Sequence, residues 1–313
     1  MIESNFYLLT GYLNNNLLTN SCYQLGTKLA NPKNFIKEIF YLFEYAAISE
    51  NEYYNHLAFS FVEELIFSVN KAKVEQSNWS VPLISLFLTK FNQLGYFNLA
   101  ISKIYEKADE IGLLIANNKE LRQDQLVLIL IYLEQRAKEN KLLVPVLKKT
   151  KKILSKEKLF DNVLPFDEVL RNAVLLKLLC FESSEILYKD SMDLGLELLA
   201  NKFEDDLRSA TTLRKMLFLF DDHLNFVSNG YLRDFMDKNR TSFKDGFLLS
   251  ETIAKKNLEK ELKISVHQKN IPNAIEKELN TLDFNSKLDL GFDILMAMQE
   301  GTSQKRAYYS LLN

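Results

Sequence analysis

Asp221, Asp222 and His223 form the cluster whose residue types and spacing are best suited to chemistry in this sequence. They follow the apolar residues 216–220 and precede Asn225, which gives the pattern Asp-Asp-x-x-Asn at the end of a predicted helix. Adjacent carboxylates in such a place can hold the magnesium ions that grip a diphosphate. Asp-Asp is also a common dipeptide on exposed helix surfaces, so the favoured interpretation is a solvated or structural pair, with a cavity function as the alternative.

The Asp-Asp-x-x-Asn pattern resembles the first magnesium motif of class I terpene synthases. That resemblance is limited, because the pattern lies late in the chain and no second, downstream metal motif follows it. An enzyme that uses Asp221 and Asp222 in a metal-dependent or acid–base reaction is therefore kept as an alternative. The sequence contains no G-x-S-x-G elbow, glycine-rich phosphate loop or GxGxxG motif that would point to other catalytic chemistry.

The histidines and cysteines do not have the spacing of a metal site. His56, His223 and His267 are not close in sequence to Cys22 or Cys180, and neither H-x-x-x-H nor H-E-x-x-H occurs. We expect His56 to be packed beside an apolar stripe and His267 to be solvated. Cys180 is expected to be a buried thiol. No metal and no cofactor is predicted.

The elements that position these residues are predicted to be helices. The 313 residues are 47% hydrophobic and include only 9 Gly and 5 Pro, which suits helices joined by short turns. Asn31-Pro32 and Ser80-Val81-Pro82 are typical helix starts. The apolar run 126–133 lies between strong helix formers and predicts a helix buried on all sides. Helical periodicity gives about fourteen segments without a linker, so a single all-helical domain over residues 1–313 is predicted.

Charge and hydropathy exclude several classes of function. A net charge of −2 argues against a nucleic-acid binder, which needs a basic face. The lysine run within residues 148–156 lies along one predicted helix and is interpreted as a solvated face. The longest apolar run is far shorter than the roughly 20 residues that span a bilayer. Residues 1–5 lack the basic start of a signal peptide, and a cytoplasmic protein without a membrane span is expected.

Five segments carry a resemblance to a known family. Residues 44–54 form an aromatic helix that breaks at a short acidic turn, residues 86–111 a helix pair, and residues 124–136 an apolar helix. Residues 288–297 and 309–312 form a last apolar helix and a tail. In this order the segments resemble the lanthionine synthetase C-like family, the cyclases of lanthipeptide biosynthesis. The resemblance implies an α/α toroid, which is a double ring of antiparallel helices.

The zinc ligands of that family are missing at the matching positions. The family holds zinc with two cysteines and one histidine, and the second cysteine and the histidine are adjacent in a Cys-His-Gly motif. The best match, residues 246–250, places Leu248 and Leu249 at those positions, and the first cysteine falls near Leu217. Leucine has no lone pair for a metal, so a zinc-activated thiolate cannot form there. The resemblance therefore implies a member without the chemistry, which favours a non-enzyme.

The leading hypothesis is a catalytically silent lanthionine-synthetase-C-like protein that binds a peptide or a partner enzyme during peptide modification. The alternative from another class is a helical-repeat interaction module unrelated to that family, although no tetratricopeptide or ankyrin signature occurs. A closed ring brings the first and last helices together, whereas an open array leaves both ends as caps. In the ring, residues 288–298 pack against the N-terminal helices, and Leu311 and Leu312 are anchored in a groove.

Overall fold

Every regular element in the described part of the computed structural model is a helix. The described residues are 32–75, 77–99, 102–118, 121–154, 159–161, 163–183, 186–205, 280–297 and 303–312, together with residues 11, 13–15, 17, 277 and 299. The α-helices are α1 (Pro32–Ser49), α2 (Glu52–Lys71), α3 (Ser80–Gln93), α4 (Ser102–Ala116), α5 (Gln123–Arg136), α6 (Val144–Leu154), α7 (Phe166–Glu182), α8 (Ile186–Asp205), α9 (Phe284–Ala297) and α10 (Ser303–Ser310). A 3-10 helix, Lys141–Leu143, precedes α6. The all-α prediction is confirmed for these residues.

Two predicted helix starts are confirmed. α1 begins at Pro32 and α3 begins at Ser80. α3 ends in a Schellman motif, in which the N–H of Tyr96 donates to the carbonyl of Phe91 at 3.1 Å. Gly95 lies between them with φ of 78°, a left-handed conformation in which a residue with a Cβ would be strained. The motif turns the chain sharply between α3 and α4.

The described residues form two compact units. The first contains the described residues up to 58 and those from 277 to 306, and the second contains residues 59–205 and 307–312. The single domain over residues 1–313 stays a prediction. Among the described helices, none is both long enough and apolar enough to cross a membrane.

Six consecutive helices of the second unit form two layers. α3, α5 and α7 are buried around most of their circumference, whereas α4, α6 and α8 each bury mainly one face. α5 packs against both α3 and α7. α4 packs against α3 and α5, α6 packs against α5, and α8 packs against α7. Because a helix that is apolar on every side must be covered on every side, α3, α5 and α7 form an inner layer and α4, α6 and α8 an outer one.

The inner helix α5 contains the apolar run that the sequence singled out. Every residue of the run 126–133 is buried except Leu128, which is half-buried. The prediction of a helix buried on all sides is therefore confirmed at all positions but Leu128.

In the first unit, α9 packs against α1. The rings of Phe40 and Phe292 meet edge to face with centroids 5.1 Å apart, and Lys37 forms an ion pair of 2.9 Å with Asp289. The prediction that residues 288–298 pack against an N-terminal helix is confirmed for the described part of that segment.

The prediction that Leu311 and Leu312 are anchored is confirmed for Leu312, which is buried in the second unit, whereas Leu311 is only half-buried. Tyr308 and Tyr309 before them are buried as well.

Two predictions about single side chains were wrong. His56 is exposed, because its place on α2 turns it away from the buried stripe that contains Ala58 and Phe61. Cys180 is half-buried rather than buried. Its partial burial still raises the pKa of its thiol to about 11, so the thiol is protonated at neutral pH and is a poor nucleophile.

Candidate functional site

The residues that the sequence singled out for chemistry or as lost zinc ligands lie outside the described part of the chain: Asp221, Asp222, His223, Leu217, Leu248 and Leu249. Their roles stay predictions. Within the described ranges, no three His, Cys, Asp or Glu side chains converge in the way that a metal site requires.

The C-terminal ends of the three inner helices meet at Glu182, the last residue of α7. Lys90, in the last turn of α3, lies 3.4 Å from Oε1, and Lys138, just beyond the end of α5, lies 3.3 Å from Oε2. Tyr308 of α10 donates a hydrogen bond from its hydroxyl to Oε1. The ammonium of Lys90 is also 4.5 Å from the centroid of the Tyr308 ring. One buried carboxylate thus ties α3, α7, α10 and the end of α5 together.

The protonation states at Glu182 follow from its surroundings. Burial alone would raise the pKa of Glu182, but the hydrogen bond from Tyr308 and the charges of Lys90 and Lys138 outweigh it and hold the pKa below its usual value. Burial lowers the pKa of Lys90, although Glu182 opposes that shift. Burial and the charge of Glu182 raise the pKa of Tyr308 well above its ordinary value. At neutral pH the carboxylate is therefore ionised and the phenol is a hydrogen-bond donor.

Helix dipoles account for the excess of cations at this place. The C-terminal ends of α3, α5 and α7 each carry a partial negative charge, which favours cations nearby. Lys90 and Arg136 lie in the last turns of α3 and α5, and Lys138 follows the end of α5. Lys90 and Lys138 balance the carboxylate of Glu182, and all three cations offset the negative ends of the helices.

A second buried cluster is centred on Asp109 of α4. Nε and Nη2 of Arg136 each lie 3.1 Å from a carboxylate oxygen, and Asn140 donates to the same carboxylate at 2.9 Å. Tyr132 donates its hydroxyl to Asp109, and burial together with the charge of Asp109 raises the pKa of Tyr132 well above its ordinary value. The guanidinium of Arg136 also lies 4.0 Å from the centroid of the Tyr105 ring. This two-bond arginine–carboxylate contact fixes α4 against α5.

A third cluster is centred on Glu134 of α5. Lys151 of α6 lies 2.7 Å from its Oε1, and the hydroxyl of Tyr188 on α8 donates to the same atom at 3.0 Å. The prediction that the lysine run is a solvated face is therefore wrong for Lys151, whose ammonium reaches a buried carboxylate. It is confirmed for the exposed Lys148, Lys149 and Lys152.

The three carboxylates hold helices together and do not present a reactive group. A general base or metal ligand needs a free lone pair that faces a substrate. Asp109, Glu134 and Glu182 each instead accept from a cation and a tyrosine within the protein. Removing one partner would leave a buried charge without compensation, which is strongly destabilising. The clusters therefore define the relative positions of the inner helices.

Sequence reasoning missed these buried charges, although one signal was present. Glu134, Gln135 and Arg136 follow the apolar run 126–133 without a helix breaker. Since a helix buried on all sides continues through them, they had to be buried as well, and buried charges require partners. Gln135 is buried, and neither polar atom of its side chain has a hydrogen-bond partner within the described structure.

A small apolar pocket lies between α3 and α5. Its volume is about 10 Å³, which is room for roughly one water molecule. It is lined by Trp79, Pro82, Leu83, Leu86, Leu128, Ile129 and Tyr132. Trp79 and Leu128 are half-buried and so contribute its accessible surface. Sites for small molecules and cofactors occupy roughly 300–1,000 Å³, so this pocket is far too small to hold a ligand.

Comparisons with protein-family models, curated proteins and solved structures found no match to this chain. Its function is therefore inferred from its own residues and geometry.

Proposed function

We propose that this chain is a catalytically silent lanthionine-synthetase-C-like protein that binds a peptide or a partner enzyme during peptide modification. The observation that carries the proposal is the alternation of inner and outer helices along the second unit. α3, α5 and α7 are inner helices, and the helices that follow each of them, α4, α6 and α8, are outer. A double ring of helices requires this alternation, and the proposed scaffold is an α/α toroid.

The pairing of α1 with α9 supports a closed ring over an open array. Two layers of helices also form in open helical-repeat modules, so that module is the second candidate. In an open array each repeat contacts only its neighbours, and the first and last helices stay apart. Here an N-terminal helix packs against a helix some 250 residues later, through Lys37–Asp289 and Phe40–Phe292 among other contacts.

The described side chains favour binding over catalysis. The buried carboxylates of the second unit are occupied by internal partners, whereas the pocket at Trp79 and Leu128 is apolar and accessible. The pocket is too small to take up a side chain, but its rim at Trp79 and Leu128 offers an apolar surface, and the ring of Tyr132 in its wall is held by Asp109. A wall fixed in this way binds with little loss of conformational entropy.

The genes that neighbour the one for this chain test the proposal first, because they should encode a precursor peptide and a peptide-modifying enzyme, and these two are then the binding partners to be measured. Fluorescence anisotropy with each labelled partner should show saturable binding to the full chain. Leu128→Arg should weaken binding of the peptide, because it places a charge at the pocket. Leu194→Arg, at an exposed position of α8, is the matched control and should bind as the wild type does. If the full chain binds neither the peptide nor the enzyme, the proposed function is overturned.

Elemental analysis tests the loss of the zinc ligands. Because Leu248 and Leu249 occupy the presumed ligand positions, the purified protein should contain no stoichiometric zinc. One tightly held zinc per chain would show that this alignment with the cyclase family is incorrect.

A further inference from the structure

A row of four tyrosine rings runs from the core of the first unit to its surface at the turn between α1 and α2. In order, the row consists of Tyr41, Tyr45, Tyr54 and Tyr53. Neighbouring rings in the row are in contact, with centroids 6.0, 4.8 and 5.5 Å apart. Tyr41 is fully buried, whereas Tyr53 is 63% exposed, and no other aromatic side chain in the described ranges is as exposed.

The turn between the two helices holds these rings in place. Glu50 has φ of 51°, a left-handed conformation that is uncommon for residues other than glycine. The side-chain oxygen of Asn51 accepts a hydrogen bond from the backbone N–H of Tyr53 at 3.0 Å, which caps the first turn of α2. The ring of Tyr53 is also supported by that of Tyr54. An exposed ring that is already held by its surroundings loses little conformational freedom when a partner binds.

The surface beside the exposed ring is acidic. Residues 38–58 contain four glutamates and neither lysine nor arginine. Two of these glutamates are buried, and the other two, Glu50 and Glu52, are exposed just before Tyr53. The helix dipole accounts for Glu52 in the first turn of α2, but it does not account for an exposed aromatic ring beside it. A cationic partner would use both the ring and the carboxylates.

We propose that an aromatic patch, which consists of Tyr45, Glu50, Glu52, Tyr53 and Tyr54, binds arginine side chains in a basic segment of a protein or peptide partner. This names the chemistry of the partner in the binding role proposed above, and it rests on that role. A cation is attracted to the face of a tyrosine ring. The flat guanidinium group of arginine stacks on such a ring and also pairs with carboxylates. The patch offers both kinds of contact side by side.

The negative charge of the aromatic patch favours a basic protein segment over a nucleic acid or a membrane. Bases of single-stranded nucleic acids stack on aromatic side chains, but the proteins that bind them add a positively charged groove for the backbone. Helices that lie on membranes carry lysines and arginines that attract anionic lipids. Residues 38–58 contain neither of these cations, so the patch would repel phosphate groups.

The test measures binding of the full chain to a labelled synthetic peptide in which arginines alternate with glycines and serines. Fluorescence anisotropy at low salt should show saturable binding, and its absence would overturn the proposal. A second peptide carries citrulline, which has nearly the shape of arginine without the charge. Its dissociation constant should be about tenfold higher or more, because several cation–ring contacts are lost together. Equal binding of the two peptides would also overturn the proposal.

Variants of the chain separate the ring from the charges. Tyr53→Ala should raise the dissociation constant of the arginine peptide about two- to fivefold, the size of a cation–ring contact at an exposed site. Tyr53→Phe keeps the ring and should bind as the wild type does. Glu50→Gln combined with Glu52→Gln should weaken binding and reduce its dependence on salt. All three side chains are exposed, so these changes leave the core intact.

The matched control combines Phe67→Ala with Glu63→Gln and Glu64→Gln. These residues are exposed in the C-terminal half of α2. At about 1.5 Å per residue they lie farther from Tyr53 than a Debye length of roughly 10 Å. The control should bind the arginine peptide within about twofold of the wild type, whereas Tyr53→Ala with Glu50→Gln and Glu52→Gln should bind it much more weakly. An equal loss in the two triple variants would overturn the aromatic patch.

Other partners give distinguishable results. Tighter binding to an oligonucleotide or to phosphatidylcholine vesicles, lost in Tyr53→Ala, would overturn the proposal in favour of another partner class. A natural partner that binds the wild type and the patch variants equally would overturn the aromatic patch alone and leave the proposed function intact. Arginine-dependent binding by a chain that binds neither the precursor peptide nor the modifying enzyme would support the aromatic patch and overturn the proposed function.

Discussion

A Cβ atom at Gly291 of α9 would lie only 2.7 Å from a ring carbon of Tyr41 on α1. The two helices therefore approach more closely at this point than any residue with a side chain allows. Tyr41 is fully buried, so its ring has no free space into which it could move. The contact between an N-terminal and a C-terminal helix thus depends on one glycine.

Gly291→Ala should lower the free energy of unfolding. Overpacking a buried contact costs about 1–3 kcal/mol, which exceeds the roughly 1 kcal/mol that alanine gains over glycine in a helix. In a Tyr41→Leu background the ring is absent, and the same alanine should be neutral or stabilising. Urea denaturation of the four proteins of this double-mutant cycle measures the difference. The close packing of α9 on α1 would be refuted by an alanine effect that is the same in both backgrounds.

Glu182→Gln should destabilise the protein most at neutral pH. The pKa of Glu182 is lowered in the folded state. Its ionised carboxylate therefore stabilises the folded protein at pH values above the unfolded-state pKa of about 4.3, and this stabilisation is lost as the pH falls through the folded-state pKa. At pH 7 the variant leaves Lys90 as a buried cation without its carboxylate, which costs about 3–5 kcal/mol.

Urea denaturation at neutral pH and near pH 3 measures the difference in the free energy of unfolding between Glu182→Gln and the wild type. This difference should be smaller near pH 3. Glu197→Gln changes an exposed carboxylate of α8, and it serves as the control with little effect at either pH. An equal difference at both pH values would mean that the pKa of Glu182 is the same in the folded and unfolded states, which contradicts its stabilisation by Tyr308, Lys90 and Lys138.

The elements of this fold could be predicted from the sequence more readily than the contacts that join them. The starts of α1 and α3 and the buried run of α5 follow from proline positions and local apolar spacing. Glu182 meets Lys90 and Tyr308 across 92 and 126 positions of sequence, and no local pattern links residues so far apart. His56 was predicted to be buried because its neighbours in sequence are apolar. It is exposed, because its side chain lies on a different face of α2 from theirs.

Ile129→Asp should destabilise the fold by several kcal/mol. Ile129 is 1% exposed on α5, and an aspartate there would be a buried charge without a partner. Leu142→Asp is the matched control, because Leu142 is 80% exposed and an aspartate there remains solvated. Thermal melting followed by circular dichroism compares the two variants. A wild-type melting temperature for Ile129→Asp would mean that this side of α5 is accessible to water.

Deletion of residues 304–313 should lower stability more than the loss of a dispensable terminal segment would. The deletion removes most of α10 with Tyr308, and also Leu312 after the helix; the two residues are 0% and 2% exposed. If the vacated space acts like that of a core leucine-to-alanine change, the cost is about 2–5 kcal/mol. Tyr308→Phe separates the contributions, since it keeps the ring and removes only the hydrogen bond to Glu182, worth about 1.5–3 kcal/mol for a charged acceptor. In an open array a terminal cap contacts one neighbour, so its loss is tolerated better. A deletion variant that unfolds at the same urea concentration as the full chain would contradict both the anchoring of Tyr308 and the closed ring.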